Sequence, residues 1–210
     1  MSEFFSTIGQ EFSEMLSFFV TVALLQNVIL TTGFGSSLMI HAVRKPKTIW
    51  LFTGILAVFS VLTVTIAYPL DIWLGTEETN LWRSLMMIGI TVVLYVIIQL
   101  LLQWQAPTFY KKVARMLPMA AFNNLVTGIA LVCNTHHIAG EMTLGSNIGL
   151  AIGACLSFGV LTWLVAEGIQ RMDNPDMPEA FRGMPSILVY VGILALALMG
   201  FASESSLIKF

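Results

Sequence analysis

Charge is what this sequence has least of. Of its 210 residues, 10% are Asp, Glu, Lys or Arg, where a soluble domain carries about 25%. So few charges cannot cover the surface of a water-soluble globule. The mean hydropathy of +0.84 excludes a disordered chain as well. Neither sign is in surplus: Lys+Arg is 10, Asp+Glu is 12 and the net charge is −2. The basic excess of a nucleic-acid binder is therefore missing. Two cysteines exclude a disulfide scaffold, and 16 glycines are too few for a collagen-like repeat.

What is present is long apolar sequence. A bilayer core of about 30 Å takes about 20 apolar residues in a helix. Six windows meet that length without a charge or a histidine: residues 16–40, 48–70, 84–102, 116–134, 144–166 and 184–203. Backbone polar groups in lipid must be satisfied internally, and the runs are too long and too little alternating for barrel strands. The fold class predicted is all-α, an integral membrane protein of six transmembrane helices. Short connections (41–47, 71–83, 103–115, 135–143 and 167–183) leave residues 1–210 as a single membrane domain. Residues 1–15 hold Glu3, Glu11 and Glu14 with no Lys or Arg, the wrong charge for a signal peptide. Their amphipathic pattern predicts a short interfacial segment.

Cations set the orientation. The first, third and fifth connections carry Arg44, Lys45, Lys47, Lys111, Lys112, Arg115, Arg171 and Arg182, while the other side carries Arg83 and Lys209. The odd connections are thus expected in the cytoplasm and both termini outside.

Three windows lie on each side of residues 103–115, so a duplication would insert the second half upside down, as two inverted three-helix repeats (16–102 and 116–203). Amides precede a Thr-Gly pair in both halves: Gln26 and Asn27 before Thr32-Gly33, and Asn123 and Asn124 before Thr127-Gly128. Amides are costly in lipid unless partnered. Gly33, Gly35, Pro118 and Gly128 weaken helicity beside them. Two readings stand: broken first and fourth helices that build a midplane site, or amides and small residues that pack spans together.

The run LLQNVILTTGFGSSLMIHAVRK, the run LPMAAFNNLVTGIAL, and the closing MPEAFRGMPSILVYVGILALALMGFAS together resemble the Rnf/Nqr membrane-subunit family, of the RnfA/NqrE type. The most specific part of the likeness is the loop Pro178, Phe181, Arg182, Gly183, followed by Met199-Gly200-Phe201. The resemblance implies an inverted-repeat membrane subunit of a complex that passes electrons between ferredoxin or a quinone and NADH, coupled to Na⁺ or H⁺ translocation. It implies a homologous six-span partner in a pseudo-symmetric dimer, and a bacterial inner-membrane location. It also implies an intramembrane iron–sulfur cluster (2Fe–2S) held by one cysteine from each broken helix. This chain departs there, with Ser37 and Asn124 at the ligand positions. Iron–sulfur clusters are held by thiolates, so no cofactor is expected. Cys133 and Cys155 lie elsewhere and read first as small buried residues, with a relocated cluster or a disulfide as the alternatives.

The remaining motifs carry less. His136, His137 and Glu141 read as a solvated loop, so no metal site is expected, and GFGSS fits no phosphate-loop spacing. Trp50, Trp73, Trp82 and Trp104 fall at window ends as an aromatic belt. Gly149 and Gly153 give the fifth window a close-packing face, in-chain or toward a partner. Tyr95, Gln99 and Tyr190 are the other polar span residues of note. No carboxylate lies in a window, so ion movement would use carbonyls, hydroxyls and amides or a partner's charges. The midplane set is Asn27, Thr32, Gly33, Gly35, Ser37, Asn123, Asn124 and Gly128. The function expected is a non-catalytic membrane subunit, or divergent paralogue, of an Rnf/Nqr-type ion-translocating electron-transport complex. The alternatives are a stand-alone inverted-repeat transporter or channel for an ion or small solute, and a structural role in assembly.

Overall fold

A computed structural model describes residues 2–25, 48–74, 80–138, 143–172 and 184–199. Every regular element among them is helical. Helix α1 spans Ser2–Val20 and widens to π geometry over Thr21–Leu25. Next come α2 (Ile49–Leu74), α3 (Asn80–Gln105), α4 (Pro107–Val113), α5 (Met116–Ala121), α6 (Asn124–Ile138), α7 (Leu144–Met172) and α8 (Met184–Met199). Among the described residues four stretches are long and apolar enough to cross a membrane: Ile49–Leu70, Trp82–Gln105, Met116–Cys133 and Leu144–Gln170. A shorter apolar helix covers Pro185–Ala197. The first window is described only to Leu25.

Helix α7 is the centre of the bundle, with α1, α2, α6 and α8 packed around it. Its glycines set how closely neighbours approach. A Cβ on Gly145 would lie 2.8 Å from the Glu11 carbonyl oxygen, and one on Gly153 2.8 Å from that of Phe19. One on Gly149 would run into the Met15 carbonyl oxygen. The three contacts advance four residues at a time on both helices, so α1 and α7 run parallel with backbones in contact. Farther along, Gly159 abuts the Thr53 side chain and Gly168 lies under the Tyr190 ring. The Phe52 and Phe158 rings meet at 6.0 Å and Cys155 meets Ser60, which sets α2 antiparallel to α7. The close-packing face expected from Gly149 and Gly153 is thus filled within the chain, by α1.

The N-terminus of α7 explains itself in the sequence. The Thr143 N–H donates to Ser146 Oγ at 2.8 Å, while the Ser146 N–H reaches back to Thr143 Oγ1 at 3.4 Å, a reciprocal cap for two otherwise orphaned donors. The Thr143 hydroxyl donates in turn to Glu14 Oε2 of α1 at 2.8 Å. A carboxylate there also complements the positive end of the helix dipole.

The connection expected over residues 103–115 is helical. Pro107 occupies the first turn of α4, where its missing N–H costs nothing, and disfavours helical geometry at Ala106, which sits at φ −140° and ψ 67°. The path bends there and resumes. Outward faces are apolar: Val93, Leu100, Leu188 and Ile193 are exposed, as lipid-facing positions should be. Trp50, Trp82 and Trp104 are exposed near helix ends.

Candidate functional site at the interrupted helix

The fourth window does not form one continuous helix. α5 ends at Ala121, Phe122 caps it at φ −89° and ψ 26°, and α6 begins at Asn124. Neither Pro118 nor Gly128 is the point of interruption. Pro118 sits in the first turn of α5, where a proline is tolerated. Gly128 lies inside α6, buried. The break falls where Asn123 can serve as a cap. Its Oδ1 accepts the Leu125 N–H at 3.2 Å and its carbonyl accepts the Val126 N–H at 3.1 Å. A side-chain acceptor for an orphaned N–H of the first turn is what favours Asn at a helix start.

Asn123 is buried, at 4% exposure, and its Nδ2 has no hydrogen-bond partner. An unpaired buried amide donor costs about 1–3 kcal/mol. Its neighbour Asn124 is exposed. Asn124, Thr127, Ala121 and Phe122 from the break, with Ile88 and Thr91 of α3, line a pocket of about 250 Å³. The Thr91 hydroxyl is turned to the Met87 carbonyl at 2.7 Å, and that of Thr127 to the Asn124 carbonyl at 3.4 Å. The Tyr95 ring packs on Phe122 at 5.3 Å, bracing the break against α3.

The structure therefore brings Asn123 and Asn124 together at one interruption and adds Thr91, while Gly128 lies one turn into α6. Thr91 carried no signal in the sequence, because a lone threonine in an apolar helix is commonplace. Asn27, Thr32, Gly33, Gly35 and Ser37 lie outside the described residues, as does the signature loop Pro178, Phe181, Arg182 and Gly183. Gln99 and Gln103 both donate to the Tyr110 hydroxyl, at 3.4 and 2.9 Å, and so tie α4 to α3.

Asn124, at one of the ligand positions the resemblance assigns to an iron–sulfur cluster, has an amide in place of a thiolate. The two thiols are buried in the bundle and form no disulfide. Cys155 donates to Ser60 Oγ at 3.4 Å and Cys133 to the Asn147 carbonyl at 3.9 Å. The described donor set does not fit the cluster. Other polar atoms in the interior lack partners: the hydroxyls of Thr63, Ser157 and Thr162, and Oδ1 of Asn147.

Long apolar helices with lipid-facing exteriors, packed around a helix with a hydroxyl- and amide-bearing interior, define a multi-pass integral membrane protein. No family model matches the chain. Individual relatives do. The chain is 27% identical over 191 residues to the A-type subunit of the ion-translocating oxidoreductase complex of Pasteurella multocida, across 90% of this chain and 97% of that protein. It is 28% identical over 201 residues to the corresponding subunit of Alcanivorax borkumensis, across 94% and 99%. It is 25% identical over 150 residues to the A-type subunit of the Na⁺-translocating ferredoxin:NAD⁺ oxidoreductase complex of Acetobacterium woodii, across 71% and 74%. These relatives support the Rnf/Nqr membrane-subunit family, as the sequence motifs imply.

Proposed function

We propose that this protein is a membrane subunit of an Rnf-type ion-translocating electron-transport complex and carries no iron–sulfur cluster of its own. The observation that carries the reading is similarity to RnfA-type proteins along nearly the whole of both chains. In this reading the chain crosses the bacterial inner membrane six times, as two inverted three-helix repeats, with both termini outside. It pairs there with a homologous six-span protein. The parallel run of α1 with α7, and the antiparallel run of α2, support an alternating path, because first and fifth spans share a direction and the second opposes them.

Asn124 in place of a thiolate supports a role that is structural and electrostatic. Among the described residues the buried side-chain atoms left without a partner are hydroxyls and amides, at Thr63, Ser157, Thr162, Asn123 and Asn147. The test is affinity purification of the tagged chain from its native membrane. Recovery with the other subunits of an ion-translocating oxidoreductase, and loss of that activity on deletion, is the expected result. Recovery of the chain alone, with the activity untouched by deletion, would sink the assignment.

One observation favours a second reading. The pocket at the break is faced by Asn124, Thr91 and Thr127, groups able to hydrogen-bond a small solute. A stand-alone transporter would be recovered alone and would show solute flux in vesicles, lost in Asn124→Leu.

A further inference from the structure

We propose that the groove between α2, α3 and the α4–α5 elbow binds one acyl chain of an anionic glycerophospholipid, with α4 presenting cations to its phosphate. The groove encloses about 390 Å³ and is lined by apolar side chains and the Trp50 indole. Trp50 marks one end, Phe59 lies deep along α2, and Leu102, Phe109, Val113 and Leu117 close the other walls. Nine residues of helix from Trp50 to Phe59 rise about 13 Å, close to half of a bilayer core of about 30 Å. The groove is one leaflet deep, which is the reach of a lipid chain rather than of a spanning helix.

Charge identifies the headgroup. Phe109 and Val113, four apart on α4, face the groove. Lys112 stands beside them, three residues from Phe109 and next to Val113. Lys111 and Arg115, also four apart, take the other side, and all three cations are exposed. No Asp or Glu occurs between Glu78 and Glu141, so this surface has no nearby sequence carboxylate to neutralise it. Basic residues beside an apolar cleft at the membrane surface are the pattern that recognises anionic lipid heads. The element holding them is fixed in place: Tyr110, between the two faces of α4, accepts from Gln103 and Gln99 of α3.

The groove floor supplies the decisive variant. A Cβ at Gly54 would meet nothing within 4 Å, so a larger side chain there fills the groove without disturbing the bundle. Gly89, equally open on α3, is the control. The full chain, purified in detergent, is titrated with dioleoyl phosphatidylglycerol or dioleoyl phosphatidylcholine, and binding is read by native mass spectrometry. Phosphatidylglycerol is expected to bind more tightly, with Lys112→Gln weakening it about fivefold. Gly54→Phe should abolish saturable binding of either lipid, and Gly89→Phe should leave both unchanged. A photoreactive acyl chain on phosphatidylglycerol should label α2 between Trp50 and Phe59 in the unaltered chain, a readout that needs no variant to fold. Equal affinity for the two lipids, labelling elsewhere, or full binding by Gly54→Phe would overturn the proposal. So would the release of a companion protein by Gly54→Phe with lipid binding intact, because a protein partner would then be the occupant.

Discussion

Replacing Gly149 by alanine tests the central packing of the bundle through the sign of the effect. In an exposed helix, alanine in place of glycine stabilises by about 1 kcal/mol, since glycine is the poorer helix former. At Gly149 the added methyl would collide with the Met15 carbonyl oxygen, a backbone atom that no rotamer change can remove. α1 must retreat from α7, and the neighbouring contacts at Gly145 and Gly153 open with it. Overpacking of this kind costs about 1–3 kcal/mol, so against the propensity gain of about 1 kcal/mol the net effect is a loss of about 0–2 kcal/mol. Gly89 has nothing within 4 Å, so Gly89→Ala should be neutral or stabilising by up to about 1 kcal/mol. Reversible unfolding in mixed micelles, followed by helical circular dichroism, measures both. Should Gly149→Ala be as stable as Gly89→Ala, or more so, α1 does not rest on α7 as described.

Other outcomes follow from the break and from the charge pattern. Asn123→Leu and Asn123→Ser both remove the unpaired Nδ2, and only Ser keeps a cap acceptor, so the Ser variant should be the more stable of the two by about 1 kcal/mol yet lack complex activity; full activity in the Ser variant would reduce Asn123 to a cap. A cytoplasm-dependent reporter inserted at Lys111 should be active and one fused after Phe210 silent; the reverse would invert the orientation. The purified chain should contain no stoichiometric iron or acid-labile sulfide, and about two irons per chain, lost in Cys133→Ala, would show a cluster held by other ligands.

Four of the six expected spans have counterparts among the described residues; they were legible because lipid imposes one blunt demand, a long run without charge, and the edges of α2 and α7 fall close to the windows that demand defines. The helical connection α4 was harder to see. Its polar residues Gln103, Gln105, Lys111 and Lys112 read as a loop, yet Pro107 starts a helix there as effectively as it interrupts one. At the break, the sequence offered Pro118 and Gly128 as weak points, and the chain parts at Asn123 instead. Capping decided the matter: an amide able to accept the Leu125 N–H makes a new helix start cheaper than a strained continuation. Thr91 enters the pocket only through tertiary packing of α3, for which local pattern holds no trace. Glu14 looked like part of an interfacial face, and its partner Thr143 lies 129 residues away.

That last separation sets an order of events during synthesis. The glycine-lined groove of α7 and the Thr143 hydroxyl do not yet exist when α1 leaves the ribosome. At about 5–20 residues per second, the 129 residues separating Glu14 from Thr143 take roughly 6–26 s to make. Throughout that interval α1 lacks its backbone neighbour, and its Glu14 carboxylate has Gln10 of the same helix but not Thr143. It must wait at the insertion machinery or at the lipid boundary until α7 arrives. A chain arrested before residue 143 should therefore leave its first helix open to proteases and to crosslinking by insertion factors, and elongation past Phe158 should close that window.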